Sequence, residues 1–508
     1  MVWTYLVRGR PQPGSHVPVS SPGDLATAWE LTRPATLRSH CLSLLPILLL
    51  LLISAVNAAT RPRYGGTLRV EMSAAIRSLD PLEWPATALE RAAKTRLASL
   101  ILENLARLDE SGVAKPWLSA SWDHDSDFKN WSFRLQPGVK LHDGSPLTSS
   151  AAANAINATL SGMHAKASGD VVWIQSEDPV PELPRQLARS KHSILLRTAD
   201  GRLLGTGPFR IAEWQPGRLA RLTAHDEYRT GRPFLDVVEI EMGRPLRDQL
   251  VDLELGKADV IEVAPNQVRN LGQRDFPIWS SAAVELWALV FRRDSPGVKD
   301  ARLREALMLS IDRASAHAVL LHKQGEASGG LLPQWLSGYA FLFPAVHNLA
   351  RARSMLAGLT GRSLILSYNS VDTLERSIAE RVAVNAREAG LLIKPVVEGQ
   401  ASGVADLRLL RVPIASVRGS DALAELANDL GLLPIGSVAD SAESLFSAEQ
   451  DLLEGSWVIP LFHLPVTFGL AQHVRGVSWQ PAETRDRTLG RWPLHEFWIR
   501  SNVPRGKP

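Results

Sequence analysis

Apolar and polar positions alternate over 67–72 (Thr67-Leu68-Arg69-Val70-Glu71-Met72), which predicts a strand. A turn follows at Leu79-Asp80-Pro81. From 86 to 108 apolar residues recur at helical spacing (Leu89, Ala92, Ala93, Leu97, Leu100, Ile101, Leu105), predicting one long helix or two short ones. Residues 131–135 read as a strand ended by Gln136-Pro137-Gly138. Val139-Lys140-Leu141 continues it to a turn at His142-Asp143-Gly144. Thr148 or Ser149 caps a helix over 151–160. The runs 209–214 and 218–225 flank Gln215-Pro216-Gly217 as a hairpin. Asp300 caps a helix over about 301–323. Ser363–Tyr368 reads as a strand, Thr373–Ala389 as an amphipathic helix stopped by Gly390, and 391–397 as a second strand. That strand–helix–strand run predicts a βαβ unit and a mostly parallel sheet in at least one part of the chain.

The start of the chain carries a different pattern. Residues 42–53 (LSLLPILLLLLI) are apolar but for Ser43 and Pro46. Arg33, Arg38 and His40 precede them, and Ser54-Ala55-Val56-Asn57-Ala58-Ala59 follows. A cationic flank, a short apolar run and small residues at Val56 and Ala58 predict a secretory signal peptide cleaved after Ala58, with 1–58 as leader. The run is shorter than the ~20 residues of a bilayer span. An uncleaved membrane anchor is the alternative. Cys41, the single cysteine, stands before the run, whereas a lipoprotein cysteine stands at the cleavage point.

Composition narrows the function classes. The chain has 508 residues, 45% hydrophobic and 21% charged, a globular balance with room for several domains. Its 56 Lys+Arg against 53 Asp+Glu leave a net charge of +3 with no basic block, so no nucleic-acid partner is expected. One cysteine excludes a disulfide framework, a four-cysteine zinc site and a CxxC redox motif. No HExxH, HxH or Gly-x-Ser-x-Gly spacing occurs, so no catalytic centre, metal or cofactor is predicted. Gly205-Thr206-Gly207-Pro208 lacks the Lys-Ser/Thr of a phosphate loop and reads as a turn into a strand. His463 stands in an apolar run and reads as a core histidine.

Several motifs fall in a recognisable order. They are Gly65-Gly66-Thr67-Leu68-Arg69-Val70 with Ser78-Leu79-Asp80-Pro81, then Glu103-Asn104-Leu105 with Pro116-Trp117-Leu118-Ser119-Ala120-Ser121-Trp122. Phe133-Arg134-Leu135-Gln136-Pro137-Gly138-Val139-Lys140-Leu141-His142-Asp143-Gly144-Ser145-Pro146-Leu147 is the most specific stretch. Gly205–Phe209, Tyr228–Pro233, Gly256–Asp259, 302–313 (RLREALMLSIDR) and Val458–His463 (VIPLFH) follow. This order resembles the family 5 extracellular solute-binding proteins, the oligopeptide, dipeptide and nickel receptors of ABC importers. The resemblance covers roughly 65–480. It implies an α/β, two-lobed periplasmic-binding-protein fold, type II-like, with an extra subdomain in the first lobe. The first lobe would comprise 65–80, 200–283 and 458–505, the subdomain 81–199, and the second lobe 284–457. It further implies a non-enzymatic, cofactor-free monomer, exported to the periplasm or cell surface. Its partners would be a small-molecule or peptide solute and the transmembrane subunits of an ABC permease.

Two stretches depart from the family pattern. Where peptide receptors carry an acidic segment, this chain has Ala405-Asp406-Leu407-Arg408-Leu409-Leu410-Arg411-Val412-Pro413, and the Arg411 cation would repel a peptide ammonium. Phe291-Arg292-Arg293 replaces a Phe-Asn pair. Candidate ligand contacts are the aromatic and charged residues near strand ends: Glu71, Trp84, Trp287, Tyr368 and Arg411. A membrane-anchored sensor or scaffold with a degenerate pocket is the alternative function. A periplasmic enzyme or chaperone on the same fold is a third.

Overall fold

The computed structural model describes residues 62–83, 85, 87–109, 111–359, 363–369, 373–399, 405–434, 436, 438–476 and 494–500. The leader with its apolar run, Cys41 and the Ala58 cleavage point lie outside the described residues, as does Trp84. Among the described residues no helix is long and apolar enough to cross a membrane.

One mixed sheet organises the described chain. Its strands are β1 (Thr67–Glu71), β2 (Phe209–Gln215), β3 (Leu219–Ala224), β4 (Val237–Glu241), β5 (Val260–Glu262), β6 (Ile278–Phe291), β7 (Glu326–Ala327), β8 (Ser363–Tyr368), β9 (Leu392–Val397), β10 (Leu407–Pro413) and β11 (Val458–Leu470). They lie in the order β2-β3-β4-β1-β5-β11-β6-β10-β8-β9, with β7 on β11. β1 pairs parallel to β4, and β8 parallel to β9 and β10. The β8–β9 pair is the predicted βαβ unit, its crossover helix spanning Thr373–Ala389.

Two long strands tie the sheet together. β6 and β11 run antiparallel from one hydrophobic core into another. Val284 and Val466 pack in a first core with Leu68, Val70, Phe209 and Val238. A few residues further, Trp287 and Leu464 pack in a second core with Leu307, Leu366, Val382 and Leu407. A third cluster on the other face of the second half joins Leu286 and Val412 to Leu423 and Leu426. Each passage buries apolar side chains on both sides of one strand, so the two halves are joined by backbone rather than by a loose linker.

A separate four-stranded antiparallel sheet uses Ser119–His124, Asn130–Leu135, Val171–Ser176 and Met163–Ser168. Phe133, Val172 and Ile174 form its core with Ile156 of the helix Ser149–Asn157, which Thr148 caps. Helix α1 (Ala88–Ala98) packs Ala93, Leu97 and Ala98 into the first core instead.

Three sequence expectations are corrected. Helical spacing continues to Leu105, yet α1 stops at Ala98. Beyond it tertiary hydrogen bonds win: Gly207 N donates to Ile101 O and Phe209 N to Leu100 O, both at 2.9 Å. The helix expected over 301–323 is two, α2 (Ala301–Ser310) and α3 (Arg313–Leu320). Ile311 is extended, and the Asp312 side chain accepts from Ser315 N to start α3. Residues 139–141 form a single bridge, Lys140 to Pro146, not a continued strand.

The Gly-Thr-Gly-Pro turn is fixed by close approach. A Cβ at Gly205 would lie 2.1 Å from Ile101 O, and one at Gly207 2.6 Å from Ile101 C. Backbone cannot yield as a flexible side chain does. Gly205→Ala is expected to lower the unfolding free energy by about 2–3 kcal/mol, read by urea titration, without changing the chemistry of any site.

Candidate solute site at the lobe junction

The junction lies where β6 and β11 leave the first core. Their register slips between Ser280 and Ala283, between Ala283 and Glu285, and between Trp287 and Ala288. Such bulges re-aim side chains. Here Glu285 is buried on the middle strand, beside β10. Arg411 of β10, in register with Trp287, donates from Nε to Glu285 Oε2 at 2.8 Å and from Nη2 to Oε1 at 3.0 Å. This is the bidentate fork that guanidinium and carboxylate favour. The Arg411 guanidinium also lies 5.6 Å from the centre of the Trp287 ring.

Charges of the first half meet this pair. Arg96 of α1 lies 3.6 Å from Glu262 of β5. Glu262 in turn accepts from Ser73 N at 2.7 Å and Ser73 Oγ at 2.5 Å. Burial pulls the Arg96 pKa down, the Glu262 and Glu285 carboxylates push it up, and Arg411 pulls it down again. Helix α1 itself packs on β10. The junction therefore holds two arginines and two glutamates of opposite sign, contributed from both sides.

Helix α4 is Thr373–Ala389 and helix α5 is Gly419–Asp429. Further out, ion pairs stitch Arg91, Arg185 and Arg189 to α5. Asp421, Glu425 and Asp429 stand at i, i+4 and i+8 on α5, hence on one face. Arg185 pairs with Asp421, Arg189 with Asp421 (3.7 Å) and Glu425 (3.6 Å), and Arg91 with Asp429. Arg418 reaches Glu182 at 3.5 Å. In the same seam lies a cavity of about 660 Å³, lined from one side by Trp122, His124 and Phe128 and from the other by Arg418, Asp440 and Leu445.

The residues singled out from sequence have different fates. Arg411 and Trp287 come together at the junction. Trp287 is buried, and its Nε1 has no hydrogen-bond partner among the described residues. Glu71 ends β1 in a separate acidic group: Arg244 Nε is 3.7 Å away and also pairs with Asp252. Burial, with the neighbouring Asp252 charge, raises the Glu71 pKa to about 7. Tyr368 ends β8 inside the second core. Arg292 and Arg293 sit at the end of β6 remote from the junction; Arg293 stacks over Trp457 at 4.8 Å. Sequence reading missed Glu285, Arg96 and Glu262, whose roles depend on strand register. It also missed the acidic face of α5, although the four-residue spacing of Asp421, Glu425 and Asp429 carries the signal.

Behind β11 a carboxylate is held without a counter-charge among the described residues. Glu449 accepts from Leu331 N, from Leu332 N at 3.1 Å and from Tyr339 Oη at 2.9 Å. Burial raises its pKa to about 7. His463 Nε2 donates to Leu331 O at 2.9 Å, and burial lowers the His463 pKa to about 4, so it stays neutral. For an acid raised in the folded state, the native form holds the proton more tightly. Stability is then full below the unfolded carboxyl pKa and falls as pH rises toward 7. Neutral, buried His463 works the other way below about pH 6.5, so the Glu449 share is read as a difference: between pH 5 and pH 8 the wild type is expected to lose about 2 kcal/mol of unfolding free energy relative to Glu449→Gln, measured by urea titration at each pH.

A family profile described as bacterial extracellular solute-binding proteins, family 5 Middle, matches residues 113–411. The chain belongs to this family, a family of binding proteins with two lobes. Among curated proteins it is 29% identical over 157 residues to the peptide transport periplasmic protein SapA of Salmonella typhimurium, 30% of this chain and 28% of that one. It is 22% identical over 304 residues to the oligopeptide-binding protein AppA of Bacillus subtilis, 54% of this chain and 55% of that one. These matches span between about a quarter and about half of the relatives' length. The crystal structure of NikA from Brucella suis with Fe(III)-EDTA superposes with a TM-score of 0.70 at 17% identity, over 86% of this chain and 100% of that one. That likeness is one of fold.

Proposed function

We propose that the chain is an exported solute-binding receptor of an ABC-type importer. It captures a peptide-like or other small solute between two lobes and delivers it to the permease's transmembrane subunits. It acts at the periplasm or cell surface as a monomer and catalyses no reaction. The lobes are 65–80 with 200–283 and 458–505, and 284–457, the subdomain being 81–199. The observation that carries this reading is the pair of strands β6 and β11, which pass unbroken between two cores and place Glu285 and Arg411 against Arg96 in the seam. Clefts between lobes are where such ligands bind, and hinge closure is their usual motion. Arg411 and Trp287 are the foremost solute contacts, with Glu71, Trp84 and Tyr368 as further candidates.

One observation favours a second reading, a sensor or scaffold on the same fold: the seam's charges are paired with one another. A thermal-shift screen of the full-length chain separates the two. Peptides, metal chelates, oligosaccharides and organic acids are the probes. A bound solute at ~100 times its Kd adds ~2.7 kcal/mol. A clear melting shift with one class is expected; a flat response to all four favours the scaffold.

A further inference from the structure

We propose that the cavity between the subdomain and the second lobe takes an uncharged, hydroxyl-rich ring compound, a di- or trisaccharide in size. This rests on the solute-receptor reading; the cavity is a subsite apart from Arg411 and Trp287, neither of which lines it, and the inference names the class of molecule it takes. One wall is aromatic. Trp122 and His124 are two apart on the strand Ser119–His124 and so share a face. Phe128 stacks on His124 with ring centres 4.4 Å apart, and Trp131, opposite His124 in the neighbouring strand, lies 4.6 Å from it. The result is a broad apolar surface that is open at its edge, since His124 is exposed.

The rest of the lining is charged, neutral in sum, and comes from both sides. On the subdomain side Arg185 Nε donates to Glu182 Oε2 at 2.9 Å. Arg418 reaches the same Glu182 oxygen at 3.5 Å and donates from Nε to Asp440 Oδ2 at 2.5 Å. Among the lining side chains two guanidinium groups are thus balanced by two carboxylates, one of each from either side. A peptide ammonium or a free carboxylate meets as much repulsion as attraction there. A hydroxyl group both donates and accepts, so it can bond to spare carboxylate lone pairs and guanidinium N–H groups while leaving each ion pair in place. The C–H face of a sugar ring is apolar and suits the faces of Trp122 and His124. The volume of about 660 Å³ falls within the ~300–1,000 Å³ of small-molecule sites.

Titration calorimetry on the full-length chain tests this. The probes are cellobiose, maltotriose and N,N′-diacetylchitobiose, with trialanine as the peptide. At least one saccharide is expected to bind and trialanine is not. Trp122→Ala and His124→Ala should each weaken that binding about tenfold or more; far-ultraviolet circular dichroism checks that both variants fold. Peptide binding without saccharide binding overturns the inference and leaves the receptor reading intact. Saccharide binding unchanged in both variants overturns the placement in this cavity. Silence with all four probes, alongside a flat thermal-shift screen, overturns inference and receptor reading together.

Discussion

Glu285→Ala is expected to lower the unfolding free energy by about 2–4 kcal/mol, the largest loss of any single side chain at the junction. Glu285 is buried and holds both arms of the Arg411 fork. Breaking one partner of a buried pair leaves a charge poorly compensated in a medium that solvates it badly, which typically costs about 3–5 kcal/mol. Arg411 retains some solvent at its side chain, which trims the figure. The double variant Glu285→Leu/Arg411→Leu removes both charges and is expected to recover most of the loss. Urea unfolding of the three proteins reads the cycle. A double variant as unstable as Glu285→Ala would show that shape, not charge, fixes this position.

Asp421→Arg is expected to open the seam. Asp421 faces Arg185 and Arg189, so the substitution turns two attractions into two repulsions. Exposed ion pairs contribute only about 0.2–1 kcal/mol each, and Arg185–Asp421 and Arg91–Asp429 are more sheltered than that class. Together with Glu425 and Asp429 they make a strip worth about 2 kcal/mol, and 1.4 kcal/mol already changes a population tenfold. Glu425 adds less than its charge suggests: burial raises its pKa, and the Arg189 charge draws it back only in part. The closed population should therefore fall in Asp421→Arg at low salt. In wild type it should fall as ionic strength rises, because screening shortens the reach of every pair. Pulsed distance measurements between spin labels at two exposed sites, one on the subdomain and one on α5, would read both effects. A distance distribution unmoved by salt and by Asp421→Arg would mean that apolar contacts hold the seam.

Much of the frame was legible because local and tertiary preferences agree. The strand 67–72, the hairpin around Gln215-Pro216-Gly217 and the 363–397 unit each carry a clean period and a clear stop. Where periodicity misled, tertiary hydrogen bonds overrode it. The backbone of Leu100 and Ile101 is claimed by Gly207 and Phe209, so helical spacing there marks burial without a helix. The site was only partly legible. Arg411 was visible as a cation in place of an acidic segment, but its partner Glu285 is distant in sequence and found only through the register of β6 on β10. Tyr368 and Glu71 share the feature that drew attention to them, a polar or aromatic residue at a strand end. That feature does not say which end faces the junction.

Small-angle scattering of the full-length chain at low and high salt, with and without the solute that the screens identify, tests lobe closure most directly. A compact particle is expected at low salt and a larger radius of gyration at high salt. Adding the solute at high salt should restore the compact value. A radius unchanged by salt and by every class of solute would contradict the claim that this chain is a receptor whose two lobes close on a captured molecule.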